Sequence, residues 1–101
     1  MNEVDFYIFL RKRNCPKKIC SDTVSRLKRV EKCISNCDLD EEYFKDRCAN
    51  LLSHFERKGE NEKIKQVLIG ELPIGNYTMN TFRYAIRKYV EYMDEYTEFK
   101  N

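Results

Sequence analysis

The last third of the chain carries its longest amphipathic pattern. Between Thr78 and Tyr96, apolar residues recur at i, i+3, i+4 and i+7, which is typical of a helix with one buried face. The apolar residues are Phe82, Ala85, Ile86, Tyr89, Val90, Met93 and Tyr96. Only three glycines and two prolines occur in 101 residues, too few for an all-β fold with many tight turns. The pattern therefore predicts an all-α fold.

Two helices are predicted in the first third of the chain. The first lies in "DFYIFLRKRN", and Asn14 is expected to close it in the left-handed conformation. The second runs from about Pro16 to Ile34, since proline suits the first turn of a helix. The apolar face of the first helix consists of Phe6, Phe9 and Leu10. That of the second consists of Cys20, Thr23, Val24, Leu27, Val30 and Ile34.

A third helix is expected after Asp38 or Asp40, whose carboxylates suit the free N–H groups of a first turn. Gly59 is expected to end it. Its predicted apolar face consists of Phe44, Cys48, Leu51, Leu52 and Phe55. A short helix follows near residues 62–69, and residues 71–76 are predicted to form a loop. We therefore expect a compact bundle of four to five helices, in a single domain over residues 1–101.

The distribution of charge is uneven, although the net charge is only +2. From Arg11 to Lys32 there are nine basic and two acidic residues, a balance of +7. From Asp38 to Glu62 there are eight acidic and four basic residues, a balance of −4. A basic first third favours an anionic partner, whereas the alternative is an ordinary solvated helix surface. No apolar run approaches membrane-spanning length and no signal peptide is recognisable, so a soluble cytoplasmic protein without membrane contact is expected.

Catalytic motifs are not recognisable. His54 is the single histidine, and no second histidine or paired nucleophile accompanies it. The segment "GELPIGN" lacks the lysine and Ser/Thr of a P-loop. Helix capping accounts for the paired carboxylates Asp40 and Glu41. We therefore expect a protein that is not an enzyme and has no cofactor.

The five cysteines leave two interpretations open. Zinc could be held by Cys15, Cys33 and Cys37 with a fourth ligand. The favoured interpretation is reduced, mainly structural thiols and no metal, because the sequence has no C-x2-C pair and the number of cysteines is odd. Cys20 and Cys48 are then expected to be buried, and Cys37 to react fastest with alkylating reagents.

Two segments carry a resemblance to a known family. "FYIFLRKRNCPKKICSDTVSRLKRVE" and "FRYAIRKYVEYM" resemble the opening and the last helix of the phage-integrase N-terminal SAM-like domain, the core-binding domain of tyrosine recombinases. The similarity extends over most of residues 5–96 and is weakest over residues 61–76. It implies a SAM-like bundle that clamps one side of duplex DNA with its second and last helices.

The resemblance also implies a DNA-binding surface. On the second helix it consists of Lys17, Lys18, Ser21, Ser25, Lys28 and Arg29. On the last helix it consists of Arg83, Tyr84, Arg87 and Lys88. Helical periodicity separately places most of these residues on polar faces, and their side chains suit phosphate contacts with little sequence preference.

The chain departs from a complete recombinase because the catalytic domain of that family is missing. We therefore expect the N-terminal part of a longer protein, in which this domain positions a separate recombinase, restriction or mobile-element activity on DNA. Its partners are then duplex DNA and a C-terminal catalytic domain of the same parent chain. The alternative function is a protein-interaction or dimerisation module with a merely solubilising basic face. What separates the two is whether both basic faces point the same way.

Overall fold

The computed structural model describes residues 1–56, 62–72 and 75–100. Its helices are α1 (Glu3–Lys12), α2 (Lys17–Cys33), α3 (Leu39–Asp46), α4 (Ala49–Ser53), α5 (Glu62–Val67) and α6 (Asn76–Lys100). The all-α prediction is confirmed, with six helices in the described ranges in place of the four to five expected. None of the helices in these ranges is long and apolar enough to cross a membrane.

The junction between α1 and α2 follows the sequence prediction. Asn2 caps α1 by accepting a hydrogen bond from the Asp5 N–H at 3.1 Å. Asn14 has φ of 64°, the left-handed conformation expected for the residue that ends this helix. Pro16 then precedes α2, and its carbonyl accepts a hydrogen bond from the Cys20 N–H at 2.9 Å. The chain therefore reverses direction between α1 and α2 within four residues.

The third predicted helix is broken in two. Asp38 caps α3 as expected, but Arg47 and Cys48 have φ of 54° and 64° and separate α3 from α4. The prediction of the apolar face assumed one continuous helix. It was wrong for Phe44, because that side chain is 68% exposed. Tyr43 faces the core instead, because the break lets α3 take its own orientation. Gly59, the expected end of this helix, lies outside the described residues.

The short predicted helix is α5, which is tied to the end of α2. The Ser35 N–H donates to the Val67 carbonyl at 2.7 Å, and the Ile69 N–H donates to the Cys33 carbonyl at 2.8 Å. Ile64 is fully buried. Of the predicted loop over residues 71–76, residues 71 and 72 lie outside any helix, residues 73–74 are outside the described ranges, and α6 begins at Asn76.

Helix α6 lies at the centre of one core to which all six helices contribute. The ring of Phe6 on α1 lies 5.3 Å from that of Tyr89 and 5.5 Å from that of Tyr92. Tyr92 is buried although it was not predicted on the apolar face, whereas Tyr96 remains 38% exposed. The C-terminal half of α6 therefore packs its buried face against the aromatic residues of α1.

Candidate nucleic-acid interface

The polar surface of α2 borders two grooves, one on each side of the helix. On one side, Ser21, Ser25 and Lys28 line a groove against α1, together with Glu3, Val4, Tyr7, Ile8 and Val24. Lys28 lies 3.5 Å from Glu3 in an ion pair. These three predicted DNA contacts therefore face α1 and not α6.

On the other side of α2, the two predicted basic helices meet. Lys18 and Arg26 of α2 face Tyr84 of α6 across a groove of about 580 Å³. Its remaining lining residues are Ile19, Asp22, Asn80 and Thr81. We call this surface the α2–α6 groove. It offers two cations, an amide and two hydroxyl groups, the side-chain types that bind phosphate and sugar oxygens.

The cations around the α2–α6 groove remain accessible to an anion. Lys18 lies 3.7 Å from Asp22, but its side chain is 85% exposed, so this pair contributes little to stability. Arg29 is exposed, and its guanidinium donates to the Glu71 carbonyl at 3.3 Å. Lys17 is also exposed, at the first position of α2.

The four predicted residues of α6 divide between two sides of that helix. The guanidinium of Arg83 donates to the Asn80 side chain on the same helix and to the carbonyl of Phe55, which follows α4. Lys88 lies one turn after Tyr84, with its amino nitrogen 5.6 Å from the Tyr84 ring centre and 3.1 Å from Glu91. Arg87 is exposed and pairs with no other residue in the described part of the chain. Arg83 thus ties the segment after α4 to α6, while Tyr84 faces α2.

The two basic faces therefore coincide only in part. Lys18 and Tyr84 share the α2–α6 groove, whereas Lys28 and Arg83 lie on other sides of the bundle. Sequence reasoning missed Arg26, although it lies eight residues after Lys18 on the same side of α2. It also missed Asn80 and Thr81, which precede Tyr84 by four and three residues. Helical spacing from Lys18 and Tyr84 identifies all three, once the facing sides of the helices are known.

The cysteines are all free thiols. Cys20 and Cys48 are fully buried, and burial is the main cause that raises the pKa of Cys20 to about 11 and that of Cys48 to about 12. Among the described residues, no group of three or more His, Cys, Asp or Glu side chains is arranged to hold a metal ion. The Nδ1 atom of His54 lies 2.9 Å from the carbonyl oxygen of Asn50, one helical turn earlier. This contact orients the imidazole ring.

Cys37 does not have the environment that its predicted reactivity requires. Burial, followed by the charges of Glu42 and Glu31, raises the pKa of this thiol to about 12. Because the thiolate is the reacting form, these surroundings disfavour attack by Cys37 at neutral pH. The position of Cys37 in a turn is therefore a poor guide to its reactivity.

Comparisons with known proteins return no match, either to a protein-family model, to a curated protein or to a solved structure.

Proposed function

We propose that this chain is a non-catalytic DNA-binding domain and that the α2–α6 groove is its DNA contact. The observation that carries the proposal is the meeting of Lys18 and Arg26 from α2 with Tyr84 from α6 in one groove. Cations from α2 and hydrogen-bonding groups from α6 that face the same space can follow a phosphate backbone. The resemblance to the SAM-like domain of tyrosine recombinases supports the same pair of helices.

The side chains around the groove have different roles in binding DNA. Lys18 and Arg26 neutralise phosphates, and the polar side chains of α6 donate hydrogen bonds to backbone oxygens. Arg29 on α2 and Arg87 on α6 are exposed and are the side chains suited to contact base edges. With so few base-reading groups, binding is weak and nearly independent of sequence, with a dissociation constant on the order of 10⁻⁴ to 10⁻⁶ M. The domain would then position a separate activity, carried by the same parent chain, on duplex DNA.

The test is titration of a fluorescent duplex at about 50 mM and about 200 mM salt, followed by anisotropy. We expect the affinity to fall steeply with salt, because each neutralised phosphate releases counterions. The double variant Lys18→Glu/Arg26→Glu should lose binding while keeping its helical circular dichroism.

The matched control is Lys12→Glu/Lys45→Glu, which makes the same change in net charge at exposed positions on α1 and α3. This control should retain most of the affinity. Equal loss in both double variants would mean that only the net charge matters, and the α2–α6 groove would then be rejected as the contact. Absence of salt-dependent binding by the parent protein would reject DNA binding itself.

A second candidate function is dimerisation through α1, the alternative inferred from the sequence. Val4 and Ile8 lie one turn apart on this helix and are 68% and 45% exposed. The first turn of α1 carries Glu3 and Asp5, and its last turn carries Arg11 and Lys12. Antiparallel packing of α1 on α1 of a second copy places each acidic end against a basic end.

Sedimentation equilibrium tests this second function. A dimer that becomes monomeric in the Val4→Glu/Ile8→Glu variant would support it, and a monomer at all concentrations would exclude it. The outcome is independent of DNA binding, because Val4 and Ile8 do not line the α2–α6 groove.

A further inference from the structure

A third groove lies where aromatic rings and carboxylates meet, away from α2. It is formed by α1, α3 and the C-terminal half of α6, and its volume is about 370 Å³. Its lining includes the aromatic rings of Phe44, Tyr89, Tyr92 and Tyr96, and we call it the aromatic groove. A volume in this range is that of a typical small-ligand site.

Two aromatic rings of this groove, those of Phe44 and Tyr96, are accessible to a ligand. Phe44 is 68% exposed at the rim, with its ring centre 5.3 Å from that of Tyr43, and Tyr96 is 38% exposed. The rings of Tyr92 and Tyr96 are stacked with their centres 6.0 Å apart. Tyr92 also lies 5.6 Å from Tyr89. These two rings are 7% and 1% exposed, so of the three tyrosines only Tyr96 offers much of its ring to solvent.

Two carboxylates, those of Asp5 and Asp40, complete the lining. Asp40 accepts a hydrogen bond from the Tyr89 hydroxyl and lies 3.8 Å from the Met1 amino nitrogen. Asp5 accepts a hydrogen bond from the Asn2 side chain at 3.1 Å. Burial, followed by the negative charge of Asp5, raises the pKa of Tyr92.

Among the described lining residues of the aromatic groove there is no lysine or arginine. The two carboxylates have one nearby cation, the Met1 amino group beside Asp40, so the described groups carry an excess of negative charge. The faces of aromatic rings attract cations, and a nearby carboxylate strengthens that attraction. A wall of rings with carboxylates is the arrangement that recognises methylated ammonium groups, which are bulky cations without strong hydration. A phosphate or other anion would be repelled by both carboxylates.

We propose that the aromatic groove binds a methylated ammonium group, held by the exposed rings of Phe44 and Tyr96 and balanced in charge by Asp5 and Asp40. The site is separate from the α2–α6 groove and shares no lining residue with it. Such a group occurs in free choline-type compounds and in methylated lysine side chains of proteins. The chemistry recognised is the same in both sources.

The first experiment compares choline with 3,3-dimethylbutan-1-ol, in which a neutral carbon replaces the ammonium nitrogen. Ring resonances of Phe44, Tyr92 and Tyr96 are followed by NMR during each titration. We expect choline to shift these resonances and to bind about tenfold more tightly than the neutral alcohol. Equal affinities would reduce the groove to an apolar surface and overturn the proposal, as would shifts confined to other residues.

The second experiment uses Phe44→Leu, which keeps an apolar side chain but removes the ring. It should weaken choline binding severalfold and leave binding of the neutral alcohol unchanged. Val4→Ala is the control, since Val4 is equally exposed and lies in the groove between α1 and α2. If Phe44→Leu binds choline as the parent does, or if Val4→Ala weakens it equally, the assignment fails.

A third titration separates the two sources of the cation. A short peptide carrying trimethyllysine is compared with the same peptide carrying unmodified lysine. Preference for the trimethylated peptide over both free choline and the unmodified peptide would assign the source to a protein side chain. Tighter binding of choline would assign it to a free compound, and binding of none of these probes would overturn the proposal.

Discussion

At the scale of single residues, the backbone of this protein is strained at four positions in the described ranges. Asn14, Asn36, Arg47 and Cys48 have positive φ although none is glycine. Asparagine tolerates this conformation because its short polar side chain interacts with the local backbone, whereas Arg47 and Cys48 gain no such relief. Two strained residues in succession are what ends α3 and starts α4 in a new direction.

Substitution of Asn14 tests the role of its backbone conformation. Asn14→Ala should lower the free energy of unfolding by about 1 kcal/mol, because a Cβ without a polar group disfavours positive φ. Asn14→Gly should leave it nearly unchanged, since glycine adopts this conformation freely. Urea denaturation of the three proteins measures the difference. Equal destabilisation by both substitutions would show that the asparagine side chain, and not its backbone, is needed.

Cys37 supplies a second prediction at this scale. At pH 7 its pKa of about 12 leaves almost no thiolate, so alkylation by iodoacetamide should be slow in the folded protein. Glu42→Gln should speed the reaction, because it removes the largest charge that raises this pKa. Mass spectrometry of the labelled peptides follows both rates. Rapid labelling of Cys37 ahead of half-buried Cys15 would restore the sequence-based expectation.

At the scale of helices, α3 is held to α6 by a polar contact as well as by the core. The Tyr43 hydroxyl donates to Asp94 at 2.6 Å, and Arg47 Nε donates to the same carboxylate oxygen at 3.1 Å. The hydrogen bonds and charge of Arg47 lower the pKa of Asp94 below its ordinary value of 3.8. Asp94 therefore joins the last turn of α3 and its C-terminal cap, Arg47, to the last helix.

The pH dependence of stability should report this contact. Since the pKa of Asp94 is lowered by folding, its contribution is complete above the unfolded value of 3.8 and is lost as pH falls through the lower folded value. Asp94→Asn should therefore destabilise the protein at pH 7 and make stability less dependent on pH below about 4. Thermal unfolding from pH 7 to pH 2 measures both effects. Parallel curves for the variant and the parent would contradict the role of Asp94.

At the scale of the whole molecule, stability rests on one core around α6. The short helices α4 and α5, with five and six residues, are too short to be stable alone in water. They are ordered because Leu51 and Ile64 are buried against the rest of the bundle. A change in the centre of this core should therefore affect all helices together.

Leu27→Ala is the test of that cooperativity. Leu27 is fully buried on α2, so its truncation should cost about 2–5 kcal/mol through lost burial and the cavity left behind. Val4→Ala, at a 68% exposed position, should cost less than about 0.5 kcal/mol. Denaturation followed by circular dichroism gives both values. A loss below about 1 kcal/mol for Leu27→Ala would mean that α2 does not pack through this face.

Periodicity predicted much of this fold correctly, because a buried helix face must repeat every three to four residues. Leu27 on α2 and Phe82 on α6 were assigned to the core from spacing alone, and both are buried. The caps were also predictable, since Asp38 and Asn14 act on their own neighbours in the chain. Phe44 was wrongly assigned to the buried face because periodicity assumes a continuous helix. No glycine or proline near Arg47 indicates the break.

The sequence by itself determined which residues are basic, which faces are apolar and where most helices begin and end, since these depend on residues near one another in the chain. Only the tertiary structure decided which side of each helix meets which neighbour. It placed Lys18 and Tyr84 in one groove, Lys28 beside Glu3, and Arg83 against the Phe55 carbonyl. The physical reason is that the angle at which two helices cross depends on packing across the whole core. Helical spacing fixes only the direction of a side chain about the axis of its own helix.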